Sequence, residues 1–139
     1  MKLPLIAIVL LSLPSAAIAM IGDNSRQIEA RYGQPQRVMA ERGNYREVAY
    51  VLGQFAILVK FIDGVSKKEG MSRLDLAPLP AGAVKELLDR SAPKSVRWQE
   101  VHPEEDSDRT WKRSDGKAKA LLLHRNFLVV QDVNYVPPK

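Results

Sequence analysis

The sequence predicts an α+β domain, two helices packed on one face of an antiparallel sheet, and three observations carry that expectation. A period of two runs through Tyr45 to Leu52, with Arg46, Val48, Tyr50 and Leu52 on one side, and again from Phe55 to Ile62, where Phe55, Ile57, Val59 and Phe61 alternate with Ala56, Leu58, Lys60 and Ile62, as in strands. Asp63-Gly64 and Asp115-Gly116 each sit between strand-like runs, where this dipeptide suits a tight hairpin turn. Near 24–33 Ile28 and Tyr32 fall four apart, and near 81–91 Val84, Leu87 and Leu88 recur at i, i+3 and i+4, the spacings of amphipathic helices.

The chain has 139 residues, a formal net charge of +5 and no cysteine. That length suits one domain able to bury its own core. Without cysteine there is no disulfide scaffold, thiolate-ligated metal, thiol catalysis or lipid-modified N-terminal cysteine.

Residues 1–19, MKLPLIAIVLLSLPSAAIA, place Lys2 before an apolar run that ends in Ala17 and Ala19, spaced as a cleavage site. This reads as a secretory signal peptide. The run is interrupted by Pro4, Ser12 and Pro14, and it is short for a bilayer span of about 20 residues. The expected mature domain is 20–139. Cleavage removes one cation, Lys2, and leaves +4 with no integral membrane span. The destination is the periplasm or the exterior, and the short leader points to a bacterial envelope.

In the mature chain, Asn24 and Gln27 have capping-box spacing, Ile28 and Tyr32 share a face, and Gly33 and Pro35 end the first helix. Residues 38–44 read as a loop. Strands follow at 45–52 and 55–62, and the polar return strand 65–74, with Lys67, Lys68, Glu69 and Arg73, is expected to face water on one side or lie at a sheet edge. As an edge it would leave pairing of two copies open. Pro78 and Pro80 break the sheet before a second helix carrying Val84, Leu87 and Leu88. Strands near 97–101, 110–114, 117–124 and 127–133 complete the order, with an acidic loop from His102 to Asp108. The expected core is Ile28/Tyr32, Phe55/Ile57/Val59/Phe61, Val84/Leu87/Leu88 and Leu121/Leu123/Leu128/Val130. The halves look alike at coarse grain, each a helix followed by strands around an Asp-Gly turn, which leaves a duplication open.

The segment Ile28-Glu29-Ala30-Arg31-Tyr32-Gly33-Gln34-Pro35, followed by Tyr50 and Val59-Lys60-Phe61-Ile62-Asp63-Gly64-Val65, resembles small envelope proteins. These are the SmpA/OmlA (BamE-type) outer-membrane assembly proteins and the related β-lactamase-inhibitor-protein-like fold. The likeness covers about a third of the chain and implies a small module that binds other proteins. Unlike the lipoprotein members, this chain has no cysteine after its leader.

Catalytic constellations are sparse in the sequence. His102 stands beside Glu104, Glu105, Asp106 and Asp108, and His124 stands apart, with no metal-ligand spacing between them. Ser91-Ala92-Pro93-Lys94 has the spacing of a serine acyltransferase motif but lacks the companion motifs. The reading is therefore a non-enzymatic binding module without cofactor or metal, the alternative being a small hydrolase or transferase with an unrecognised polar site. Partner-binding candidates are Lys67, Lys68, Lys112 and Arg113 as a basic face, and Trp98 and Trp111 as recognition aromatics or as caps on the core. Export removes nucleic acid as a partner. It favours an envelope protein or an anionic component such as lipid head groups or cell-wall polymers.

Overall fold

A computed structural model describes residues 21–139. The leader reading, 1–19, lies outside the described residues. The elements run α1 (Ser25–Tyr32), β1 (Arg37–Arg42), β2 (Tyr45–Leu52), β3 (Phe55–Ile62), β4 (Val65–Arg73), α2 (Ala81–Arg90), β5 (Trp98–Val101), β6 (Arg109–Arg113), β7 (Ala118–Leu123) and β8 (Phe127–Asp132). All eight strands form one antiparallel sheet in the order β1-β2-β3-β4-β8-β7-β6-β5. Each half is thus a helix followed by a four-strand meander, and the two meanders join where β4 pairs with β8.

The α+β expectation is corrected by this architecture. The fold is dominated by one eight-stranded sheet, with only 15% of the described residues helical. Eight strands about 4.8 Å apart span roughly 34 Å, whereas α2, with 10 residues, is about 15 Å long. Two such helices cannot tile that face as a layer.

Local chemistry sets the helix ends. Asn24 Oδ1 accepts from the Gln27 backbone N–H at 3.0 Å, and Gln27 Oε1 accepts from the Asn24 N–H at 2.9 Å, a reciprocal cap for α1. The buried residues of α1, Ile28 and Tyr32, join Val48, Tyr50, Ile57, Val59, Phe61 and Met71. Those of α2, Val84 and Leu88, join Trp111, Ala120, Leu122, Leu128 and Val130. Phe55 and Leu87 pack against both clusters, so the core is continuous. Each fully buried aliphatic side chain contributes about 1.5–3 kcal/mol, and burial of this kind, more than propensity, holds helices this short.

The β3–β4 turn has positive φ at Asp63 (53°) and Gly64 (79°), as a two-residue hairpin with the sheet's right-handed twist requires. Three further expectations are corrected. Of residues 38–44, read as loop, 38–42 belong to β1, an edge strand exposed at every position. Strand β4 is central, and the sheet edges are β1 and β5, so two copies cannot pair through an edge of β4. In β7 the buried residues are Ala118, Ala120 and Leu122, while Leu121 and Leu123 lie on the other face, half-buried. The run of three leucines conceals the parity of that strand.

Candidate functional site: a lysine row across the open sheet face

Ile28, Tyr32, Val84 and Leu88 cluster with Val48, Val59, Trp111, Ala120 and Val130, so alternation along those strands assigns the positions between them to the opposite face. Cross-strand register then joins residues far apart in sequence. Glu47 pairs with Lys60, Lys60 with Lys68, Lys68 with Gln131, Gln131 with Lys119, Lys119 with Lys112, and Lys112 with Gln99. One transverse row on one face therefore carries four lysines. Lys112 is exposed and Lys60, Lys68 and Lys119 are half-buried.

The lysines are held near one another with few counter-charges. Lys119 Nζ lies 3.3 Å from Glu104 Oε1, which ties the acidic loop to this face. That loop is anchored further by the Glu104 N–H donating to Thr110 Oγ1 at 3.1 Å. The Lys68 ammonium sits 5.4 Å from the Tyr135 ring centroid, a cation–π contact that brings the C-terminal segment to the row. The pKa of Lys68 is lowered, first by burial and then by the like charges of Lys60 and Lys119. Among the described residues, Lys60, Lys68 and Lys112 have no carboxylate within ion-pair distance.

Beside the row runs an apolar strip. The next same-face positions are Ala49, Leu58, Gly70, Val129, Leu121, Thr110 and Val101, paired in that order. Phe127 lies over Gly70, where a Cβ would stand 2.4 Å from the ring. A cationic stripe flanked by apolar side chains has the chemistry to bind an anionic amphiphilic surface.

Of the six residues singled out in the sequence, the row brings together Lys68 and Lys112. Lys67 falls at a bulge in the β3–β4 register, with Nζ 3.6 Å from Asp132 Oδ2. Arg113 is on the helix-bearing side and buried: its Nε donates to Asp115 Oδ1 at 3.0 Å, and its Nη1 donates to the Ser91 carbonyl at 3.1 Å. Trp111 is 5% exposed in the α2 cluster, and Trp98 packs against that cluster. Lys60 and Lys119, absent from that set of six, complete the row. The only available signal was that both fall at outward positions of apolar strands.

A second polar group lies inside the core. Glu69 is 8% exposed, its Oε2 accepts from the Tyr32 hydroxyl at 3.4 Å, and burial with the Asp23 charge pushes its pKa up to about 8. It borders a cavity of about 20 Å³, room for nothing larger than a water molecule. The Ser91 hydroxyl donates to the Leu88 carbonyl at 2.9 Å, closing the last turn of α2. Among the described residues no cluster of three or more His, Asp or Glu is placed to hold a metal ion, and no helix is long and apolar enough to cross a membrane. No family model, curated protein or solved structure matches the chain.

Proposed function

We propose that this is an exported, non-enzymatic binding module of the bacterial envelope, engaging a protein or other anionic envelope component through the open sheet face. The observation that carries the reading is the row of Lys60, Lys68, Lys119 and Lys112, concentrated on one face with an apolar strip beside it. The leader-like segment 1–19 supports export to the periplasm or beyond. The resemblance of the motifs at 28–35, Tyr50 and 59–65 to the SmpA/OmlA group is in keeping with a binding role.

The test is affinity capture from envelope extract with residues 20–139 as bait, beside a variant carrying Lys→Gln at positions 60, 68, 112 and 119. The expected result is a captured component that the variant does not retain and that salt releases, because exposed ionic contacts are screened over about 8 Å at physiological ionic strength. Capture that ignores both the substitutions and the salt overturns the reading.

A further inference from the structure

We propose that the lysine row receives a lipid whose head group carries two phosphates, with the apolar part of the lipid lying along Leu58, Leu121 and Phe127. The inference rests on the binding-face reading above and narrows its partner to one chemical class.

The lysines are not evenly spread. They form two cross-strand pairs, Lys60/Lys68 and Lys112/Lys119, separated by the strand that carries Gln131, and a phosphate at the second pair displaces the Glu104 carboxylate from Lys119. With strands about 4.8 Å apart, the backbones within a pair are about 5 Å apart, and the pair midpoints, three strands apart, are separated by about 14 Å. Two adjacent ammonium groups suit a phosphate, which carries up to two negative charges and three acceptor oxygens. A carboxylate carries one charge and is neutralised by one lysine. Two pairs set apart in this way match two phosphates at opposite ends of one head group, and Gln131 between them presents amide donors and an acceptor to the spacer.

The surroundings separate a lipid from a polymer. Two residues along each strand, about 7 Å from the row, stand Leu58 and Leu121, both half-buried, with the buried Val129 between them, and the half-buried Phe127 covers Gly70. A sugar–phosphate polymer following the lysines would leave the exposed parts of Leu58, Leu121 and Phe127 in water. A lipid places phosphates on one stripe and hydrocarbon on the other, so both are used at once.

The experiment measures binding of residues 20–139 to phosphatidylcholine vesicles doped with a bisphosphorylated diglucosamine lipid. A second set carries the monophosphorylated form of that lipid at matched surface charge. The expected result is roughly tenfold tighter binding to the bisphosphorylated vesicles. Lys68→Gln and Lys119→Gln each weaken it about fivefold, with the melting temperature nearly unchanged. Leu121→Ser weakens vesicle binding but not the binding of soluble linear polyphosphate. Equal affinity for both lipids at matched charge overturns the proposal, as does binding that survives all four Lys→Gln changes. Tighter binding to soluble polyphosphate or polyglutamate than to vesicles overturns the lipid assignment. Lysine-dependent capture from envelope extract without vesicle binding overturns the lipid and leaves the proposed function standing.

Discussion

The Tyr32 hydroxyl of α1 lies 3.4 Å from Oε2 of Glu69 in β4, so the first helix is joined to the middle of the sheet through a buried carboxyl group. Around that group stand Asp23 and Arg31, themselves ion-paired, and the Tyr50 ring, 5.8 Å from that of Tyr32. Glu69 Oε1 and the Tyr50 hydroxyl find no hydrogen-bond partner among the described residues. Burial favours the neutral acid, and the Asp23 charge adds to the effect.

The pH dependence follows from the direction of that shift. The unfolded chain releases the Glu69 proton near 4.5, whereas the folded chain holds it to about 8. Between those values the folded state binds more protons, so this group's contribution is full below about 4.5 and is lost as pH rises through 8. The slope approaches about 1.4 kcal/mol per pH unit. Glu69→Gln keeps the shape and removes the titration. Denaturant unfolding at several pH values is expected to show the variant gaining on the natural protein as pH rises from 5 to 8. Parallel curves would show that Glu69 ionises normally.

Gly70 has no room for a side chain, because a Cβ there would lie 2.4 Å from Cζ of Phe127. Gly70→Ala is expected to cost about 1–3 kcal/mol by forcing the ring aside. Combined with Phe127→Ala, the same change is expected to cost much less than it does alone, so a double-mutant cycle measures the coupling directly. Additive losses would mean that backbone conformation, and not the ring, excludes a side chain at 70.

Features governed by neighbouring residues were legible in the sequence, and features governed by register were not. The Asn24/Gln27 cap and the Asp63-Gly64 turn follow from chemistry within four residues, so spacing alone revealed them. Strand β1 has no buried position and hence no alternation to detect. Strand β4 looked like an edge because Lys67, Lys68 and Glu69 are polar, yet Lys68 faces the open side while Glu69 is accommodated inside beside Tyr32. The lysine row depends on pairings between residues as distant as Lys60 and Lys119, which no local pattern contains. Lys68 and Lys112 were recognised by their charged neighbours, Lys67 and Arg113, and the structure directs both of those neighbours elsewhere.

The parity of β7 is open to direct measurement. Leu122 is 5% exposed under α2, while Leu121 stands half-buried on the lysine side. Leu122→Ala is expected to cost about 2–5 kcal/mol, the range for emptying a packed core site, and Leu121→Ala clearly less. The opposite ranking in denaturant unfolding would shift the strand by one residue and move Lys119 off the open face.

Adjacent cations in β6 are expected to behave in opposite ways. Lys112 is exposed on the open face, and its reversal to Glu is expected to change stability by no more than about 0.5 kcal/mol. Arg113, 6% exposed, holds Asp115 through Nε and the Ser91 carbonyl at the end of α2 through Nη1, and its guanidinium carbon lies 6.0 Å from the Trp98 ring centroid. That carboxylate is held below its usual pKa first by the Arg113 hydrogen bond, so the pair is ionic in the folded protein. Arg113→Glu puts two carboxylates side by side and strips the Ser91 carbonyl of its donor, a loss of about 3–5 kcal/mol or failure to fold. Arg113→Lys keeps the charge but not the planar fork that reaches both acceptors, and is expected to fall between the two. Unfolding curves of the three variants decide it: a stable, folded Arg113→Glu protein would return Arg113 to the surface and to the list of partner-binding residues.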